Sequence, residues 1–245
     1  MAATIFIGTS GWSLPRASRE AFPAEGPGLE RYAARFMAAE INSTFYRPHR
    51  PATFRRWAAG VPDGFRFAVK APRELTHVRA LAEPEPIIDR FLAEAADLGA
   101  KLGPILVQLP PKLAFDPDVA AAFFDAWRAR HAGGLVCEPR HPSWFGPDPD
   151  LLMAERQVAR VAADPACVPA AADPGGWPGL RYHRLHGSPR MYSSSYPMDL
   201  LERLASRLRQ EASAAETWCL FDNTMHGAAI ENALAVDGLL QRGSG

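Results

Sequence analysis

Short apolar runs alternate with longer amphipathic segments along the whole chain. Eight runs rich in strand-forming residues predict β-strands at Thr4–Gly8, Ala39–Asn42, Arg66–Lys70, Ile105–Gln108, Leu135–Glu138, Ala159–Ala163, Tyr182–Leu185 and Trp218–Asp222. The segments between them, such as LERYAARF, IIDRFLAEAADLG and MDLLERLASRLRQE, repeat apolar residues at three- and four-residue spacing, which is typical of helices. Eight strands that each lead into a helix predict an α/β fold, a single (β/α)8 TIM barrel formed by one domain over residues 1–245.

Side chains of a strand alternate between two faces, so each one can be assigned to the barrel axis or to the helices. In the first strand, Ile5 and Ile7 are predicted to face the helices, which leaves Gly8 and, beyond the predicted strand, Ser10 and Trp12 on the inner face. The same alternation predicts inward-facing polar groups near most strand ends: Glu40, Asn42, Lys70, Gln108, Glu138, Arg140, Arg184, His186 and Asp222. Active sites of such barrels lie at the C-terminal ends of the strands, so we expect these side chains to form one.

The composition indicates which partners and which cellular location to expect. The chain has 27 basic and 27 acidic residues, and a formal net charge of zero gives no overall attraction to nucleic acid or to acidic membranes. Three widely separated cysteines indicate neither a disulfide framework nor a CxxC metal site, so we expect a reducing, cytoplasmic location. No secretory leader and no membrane partner are expected, because no apolar run reaches the length of a membrane span.

No bound cofactor and no metal are expected from the motifs. The run GTSGW lacks the spacing of a GxGxxG dinucleotide fingerprint, and no Walker motif occurs. A zinc ion held by Glu138, Asp164, His186 and Asp222 is an alternative that the donor types allow. No HxxH, HExxH or CxxC spacing supports that alternative.

Four of the inward residues carry the candidate catalytic chemistry. Lys70, one of three lysines, suits either a nucleophilic amine or a cation for a phosphate or carboxylate. Glu138 and His186 are the predicted acid/base pair, and Asp222 adds a second carboxylate. The predicted substrate-binding residues lie at or just beyond strand ends: Asn42, Tyr46, His77, Gln108, Arg140, His141, Trp144, Arg184 and Asn223. The alternative for the charged set is a network of ion pairs that closes the barrel mouth without a chemical role.

Longer motifs occur in order along nearly the whole chain: IGTSGW at 7–12, EINSTFYR at 40–47, PDGFRFAVKA at 62–71, LGPILVQLPP at 102–111, EPRHPSW at 138–144 and RLHG at 184–187. Together they resemble the YecE-like proteins, the family called domain of unknown function 72. The resemblance implies a TIM-barrel fold and no established activity. The sequence departs from the family pattern at Pro139, where an aromatic residue is usual, and at Asp222, where asparagine is usual.

Three kinds of function follow from these observations. The favoured one is an enzyme that acts by acid/base chemistry on a small anionic substrate, phosphorylated, sugar-like or nucleotide-like, at the C-terminal face of the barrel. The second, by analogy to barrels of the apurinic endonuclease type, is the binding or processing of nucleic acid, although the zero net charge counts against duplex binding. The third is a non-catalytic ligand sensor. The oligomeric state stays open.

Overall fold

The computed structural model describes residues 4–242. Ten β-strands occur in this range: β1 (Ile5–Ser10), β2 (Ala38–Ile41), β3 (Arg66–Lys70), β4 (Leu102–Gln108), β5 (Leu135–Glu138), β6 (Val158–Arg160), β7 (Ala162–Asp164), β8 (Gly175–Gly176), β9 (Leu180–Leu185) and β10 (Glu216–Phe221). The range also contains seven α-helices: α1 (Gly28–Ala33), α2 (Pro51–Ala59), α3 (Glu85–Ala95), α4 (Pro117–Arg128), α5 (Pro147–Glu155), α6 (Met198–Ala212) and α7 (Ala228–Arg242). None of these described helices has the length and apolar character that a membrane crossing requires.

The strands form one nearly closed, predominantly parallel sheet. Its order is β7-β9-β10-β1-β2-β3-β4-β5-β6-β8, and among these ten strands only β6 and β8 pair in antiparallel fashion. β6 pairs with β5 and β7 pairs with β9, while a single residue, Val161, separates β6 from β7. The sheet therefore nearly closes where the chain passes from β6 to β7, and the result is an α/β fold around a barrel-like sheet.

The alternation of side chains produces two separate apolar clusters. The inner cluster includes Phe6, Leu106 and Trp218, and the rings of Phe6 and Trp218 stack with their centroids 4.5 Å apart. The outer cluster joins strand residues such as Ile7 to helix residues such as Phe123. The prediction that Ile7 faces the helices is thus confirmed. Burial of each large apolar side chain contributes roughly 1.5–3 kcal/mol, so both clusters stabilise the fold.

The structure corrects several details of the sequence prediction. β1 extends to Ser10, β4 begins earlier, at Leu102, and the single predicted strand at Ala159–Ala163 is divided into β6 and β7. The assignment of Trp12 to the inner face is wrong. Gly11 follows β1 with a φ of 74°, which ends the alternation, and the Trp12 ring packs in the outer cluster with its centroid 5.2 Å from that of Trp57.

The expectation of a helix after every strand is wrong between β7 and β9. Pro165, Pro169 and Pro174 interrupt this segment, which forms a 3-10 turn at Pro169–Ala172 and then the short β8. Proline removes a backbone donor and obstructs an α-helix, so this segment covers the sheet differently. A cleft of about 260 Å³ lies there, lined by Leu185 among others on the outer side of β9.

Gly8 of the GTSGW run allows β1 and β2 to approach closely. A Cβ at this position would lie 2.0 Å from the carbonyl oxygen of Ala38 and 3.0 Å from the Tyr32 hydroxyl. That hydroxyl donates a hydrogen bond to the Ala38 oxygen at 2.8 Å and accepts one from the Thr9 backbone N–H at 2.8 Å. The glycine therefore makes room for the hydrogen bonds that fix the first two strands.

Candidate functional site

Charged and polar side chains gather at the C-terminal ends of the parallel strands. Lys70 ends β3, Gln108 ends β4 and Glu138 ends β5, while Arg184 lies one residue before the end of β9. Hydrogen bonds, ion pairs and electrostatic contacts join eight side chains into one cluster: Glu40, Lys70, Gln108, Glu138, Arg140, Arg184, His186 and Asp222. All except Arg140 are buried. We call this set the strand-end cluster.

Arg184 is the centre of the strand-end cluster. Its Nε lies 2.9 Å and its Nη2 2.6 Å from the two oxygens of Glu40, its Nη1 lies 3.0 Å from Glu138 Oε2, and its Nη2 lies 3.0 Å from Asp222 Oδ2. Burial lowers the pKa of Arg184, but Asp222, Glu40 and Glu138 outweigh this effect and hold that pKa well above its usual value. Three carboxylates already occupy the guanidinium, so its position does not support the expected contact with a substrate oxyanion.

Glu138 accepts hydrogen bonds on both carboxylate oxygens. Its Oε2 accepts a hydrogen bond from Arg184. Its Oε1 accepts hydrogen bonds from Arg140 Nη2 at 2.8 Å, His186 Nε2 at 3.0 Å and Gln108 Nε2 at 3.2 Å. Burial raises the pKa of Glu138, but His186, Arg184 and Arg140 together hold it well below its usual value. A carboxylate in this environment is a fixed anion, which argues against the expected acid/base role of Glu138 near neutral pH.

His186 is held between two carboxylates. Its Nε2 lies 3.0 Å from Glu138 Oε1, and its Nδ1 lies 3.0 Å from Asp222 Oδ2. Burial lowers the pKa of His186, whereas Glu138 and Asp222 raise it, and the net effect is an increase. Burial raises the pKa of Asp222, but Arg184 and His186 outweigh it and lower that pKa. Both ring nitrogens are engaged, so this histidine is oriented firmly and favours its charged form.

Lys70 differs from every other cation of the strand-end cluster. Its Nζ makes no hydrogen bond and no ion pair with any residue in the range 4–242, and it lies 4.0 Å from the centroid of the Phe45 ring. The residue is only 4% exposed. Burial and the nearby Arg184 lower the pKa of Lys70 to about 8, against the opposing effect of Glu40, Glu138 and Asp222. A buried amine with no partner among residues 4–242 marks a candidate functional group.

Three predicted substrate-binding residues lie around the cluster rather than within it. Asn42 follows β2 and is half-buried, and its Oδ1 has no hydrogen-bond partner among the described residues. Tyr46 is 70% exposed. The ring of His77 meets that of Phe45 edge-on with centroids 5.0 Å apart, and its Nδ1 lies 2.8 Å from the Thr76 hydroxyl. Burial, together with the charges of Lys70, Arg73 and Arg140, lowers the pKa of His77.

Three other predicted binding residues have structural roles, because their side chains are occupied elsewhere. His141 Nδ1 accepts a hydrogen bond from the Ser143 backbone and so caps a 3-10 turn. Trp144 is fully buried in the outer cluster and donates to the Leu113 carbonyl at 2.9 Å. Asn223 is also fully buried, and its amide donates to Ser194 O at 2.8 Å and to an amide oxygen of α7. The burial of Trp144 and Asn223 opposes the expected contact with a substrate.

The sequence prediction omitted Tyr182 from the site. Its hydroxyl donates a hydrogen bond to Glu40 Oε2 at 3.0 Å, and the residue is fully buried on β9. Burial and the charge of Glu40 raise the pKa of Tyr182 well above its usual value. Tyr182 precedes Arg184 by two positions and shares its face of the strand, so the alternation of β9 contained the signal.

Comparison with known proteins identifies the family. The family described as "Protein of unknown function DUF72" matches residues 6–244. The chain belongs to this family. It is 32% identical over 175 residues to the UPF0759 protein YecE of Escherichia coli strain K12, an alignment that covers 68% of this chain and 61% of YecE. Identity to the UPF0759 protein YunF of Bacillus subtilis strain 168 is 28% over 151 residues, or 58% of this chain and 53% of YunF. Each alignment spans less than two thirds of the relative.

Two solved DUF72 structures have the same fold. A DUF72 family protein from Enterococcus faecalis V583 superposes with a TM-score of 0.81 at 22% identity, covering 97% of this chain and 96% of the other. A DUF72 family protein from Thermotoga maritima MSB8 superposes with a TM-score of 0.80 at 22% identity, covering 97% and 99%. At these identities the likeness shows the fold alone.

The four side chains considered above as zinc ligands all contact other protein groups. No group of three or more His, Cys, Asp or Glu side chains in residues 4–242 is arranged to hold a metal ion. Asp164, one of the four zinc ligands considered above, accepts a hydrogen bond from the Tyr196 hydroxyl at 2.7 Å. Glu138 and Asp222 are bound by Arg184, so the donor set is committed to ion pairs.

Proposed function

We propose that this DUF72 protein is an enzyme that acts by acid/base chemistry on a small anionic substrate at the strand-end cluster, with the Lys70 amine as the reacting group. The observation that carries the proposal is the Lys70 Nζ, which is buried at the end of β3 and has no hydrogen-bond or ion-pair partner in residues 4–242. Unpaired buried charges are costly, so natural proteins keep them where function needs them.

The charge balance of the cluster supports an anionic substrate. Arg184 binds Glu40, Glu138 and Asp222, and Arg140 Nη2 adds a second cation to Glu138 at 2.8 Å. These pairs leave the positive charge of Lys70 without a carboxylate in contact. A phosphate or carboxylate that enters the mouth supplies the missing partner, and a charged hydrogen bond of this kind contributes about 1.5–3 kcal/mol.

The acid/base role fits Lys70 better than Glu138. An acid/base group works best when its pKa is near the working pH, and the pKa of Lys70 is about 8. The many donors on Glu138 hold its pKa well below the usual value, which suits it to orient Arg140 and His186. The role that the sequence suggested for Glu138 therefore passes to Lys70 in this proposal.

The position of the site also fits a (β/α)8 barrel in one domain. We count β6 and β7 as the two halves of the sixth barrel strand, since one residue separates them and they pair with β5 and β9. β8 is then an addition outside the eight strands. In such barrels the reacting groups lie at the C-terminal ends of several strands, which is where Lys70, Glu138 and Arg184 lie.

Sulfate binding tests the proposal, because sulfate keeps its charge throughout the pH range of interest. Calorimetric titration at pH 7 should give binding in the wild type and in the Lys112→Met control, whose lysine is exposed. Lys70→Met should weaken binding about ten- to a hundredfold, as expected for a lost charged hydrogen bond. Wild-type affinity should also fall as the pH rises through about 8.

Equal sulfate affinity in the wild type and Lys70→Met, or no binding by the wild type, would refute the anion site. A pH profile without a step near 8 would remove Lys70 as the titrating group.

A further inference from the structure

The surroundings of Lys70 point to a covalent role that rests on the proposed anion site. We infer that the Lys70 amine forms an imine with a small aldehyde or ketone that carries a carboxylate or phosphate group. Imine formation needs an amine with an available lone pair, a wall that limits water, and a nearby group that moves protons. Lys70 and two side chains around the strand-end cluster, Phe45 and His77, provide these three features.

The amine of Lys70 is more available for reaction than those of the other two lysines, Lys101 and Lys112. Lys101 donates hydrogen bonds to Pro62 O at 2.5 Å and to Asp63 Oδ1 at 3.1 Å, and Lys112 lies exposed at the surface. Lys70 has neither an acceptor in the described chain nor free exposure to water. With a pKa of about 8, roughly a tenth of its amine is unprotonated at pH 7, more than about two hundredfold the fraction in an ordinary lysine.

The ring of Phe45 borders the amine, and the ring of His77 packs against Phe45. The Phe45 centroid lies 4.0 Å from Nζ, and the centroids of Phe45 and His77 lie 5.0 Å apart with the two rings nearly perpendicular. The pKa of His77 is lowered by burial and by Lys70, so its imidazole favours the neutral form. His77 Nε2 has no hydrogen-bond partner within residues 4–242. We therefore assign the transfer of protons to His77, whose pKa responds to the charge of Lys70.

The reaction balances without any further reagent. The Nζ lone pair attacks the carbonyl carbon, a C–N bond forms, and the carbonyl oxygen takes up a proton to give a carbinolamine. The nitrogen lone pair then forms the C=N bond as the hydroxyl leaves with a second proton, so one water departs. The two hydrogens that leave with this oxygen come from the amine, and His77 transfers them.

The anionic group of the substrate is matched by Arg140. Its side chain is 21% exposed, whereas that of Arg184 is fully buried, so Arg140 is the guanidinium that faces the solvent side of the cluster. Two hydrogen bonds to Glu138 Oε1, at 2.8 and 3.1 Å, hold it in place. A neutral carbonyl compound lacks this contact and should react less with Lys70.

Reductive trapping tests the inference on the intact protein. Wild-type protein at pH 7 is incubated with pyruvate, dihydroxyacetone phosphate or the neutral hydroxyacetone, and borohydride is added. Reduction of the imine leaves the mass of the carbonyl compound less one oxygen atom, and peptide mass spectrometry locates it. We expect one adduct, on Lys70, which should form at least tenfold faster than any adduct on Lys101 or Lys112. Pyruvate or dihydroxyacetone phosphate should label Lys70 faster than the neutral hydroxyacetone does.

Three variants and the sulfate titration separate the outcomes. Lys70→Arg keeps the positive charge and should bind sulfate but give no adduct, while Lys70→Met should lose both and Lys112→Met should keep both. Equal labelling of all three lysines, or no adduct in a wild type that binds sulfate, overturns the imine and leaves the anion site standing. Absence of sulfate binding together with absence of adduct overturns both proposals.

Discussion

Replacement of Arg184 by methionine should destabilise the protein severely and in a pH-dependent manner. Methionine has a similar length and removes the three ion pairs that Arg184 makes with Glu40, Glu138 and Asp222. Breaking a buried pair by removing one partner typically costs 3–5 kcal/mol, because a buried charge is left uncompensated. A folded domain is stable by about 5–15 kcal/mol in total, so we expect Arg184→Met to lose a third or more of the free energy of unfolding at pH 7.

The pH dependence of this loss follows from the pKa values of the carboxyl groups. In the wild type the pKa values of Glu138 and Asp222 are lowered, so their stabilising contribution is present above pH 4 and is lost as the pH falls through the folded values. Without Arg184, these pKa values should lie higher than in the wild type, because burial is then opposed by fewer cations. The folded variant should therefore take up protons at a higher pH than the folded wild type, and the stability gap between the two should narrow toward pH 5.

Urea unfolding followed by tryptophan fluorescence at pH 7 and pH 5 measures both quantities. The control is Arg130→Met, which removes an exposed pair with Asp89 and should cost less than about 1 kcal/mol at either pH. If Arg184→Met does not fold, Glu40→Gln replaces it as the test variant. Arg184 then keeps its contacts with Glu138 and Asp222, and the free energy of unfolding should fall by about 1–3 kcal/mol. A loss below about 1 kcal/mol in Arg184→Met, or a gap that does not narrow at pH 5, would refute the assigned role of Arg184.

Two further stability predictions concern Lys70 and Gly8. A lysine whose pKa is lowered to about 8 costs the folded protein up to about 3 kcal/mol while protonated, so Lys70→Met should be more stable than the wild type at pH 7. Wild-type stability should rise between pH 8 and 10, where the unfolded chain binds more protons, and the advantage of the variant in urea unfolding should shrink. Gly8→Ala should lower the free energy of unfolding by at least about 3 kcal/mol or make the protein insoluble, because its Cβ would lie 2.0 Å from the Ala38 oxygen. In the control variant Gly28→Ala, the added Cβ meets nothing within 4 Å, so the free energy of unfolding should stay within about 1 kcal/mol of the wild-type value.

Strand alternation predicted the residues of the strand-end cluster well because it depends on local geometry alone. Successive side chains of a strand point to opposite faces, so the assignment of Lys70, Glu138 and Arg184 to one face needs no knowledge of their partners. The method failed for Trp12, because the strand ends at Ser10 and the alternation ends with it. His141 and Trp144 lie beyond the end of β5, where the local turn rather than the strand directs the side chains.

Distances and partners could not be predicted from alternation. The sequence indicates that Glu138 and Arg184 face the same interior, but not that Arg184 contacts three carboxylates. It likewise gives no sign that the Lys70 amine has no hydrogen-bond or ion-pair partner within residues 4–242. Such contacts depend on the register between strands that are far apart in sequence, such as β2 and β9, whose residues Glu40 and Arg184 meet across the barrel.

The ion-pair network and the proposed reactivity of Lys70 are two aspects of one arrangement. The sequence suggested them as alternatives, because carboxylates that neutralise Lys70 would leave it inert. Arg184 instead binds all three nearby carboxylates, while burial and then the positive charge of Arg184 lower the pKa of Lys70. A second cation close to a lysine is a recognised way to activate an amine. The ion pairs of Arg184 therefore hold the three carboxylates and leave the Lys70 amine available for the proposed chemistry.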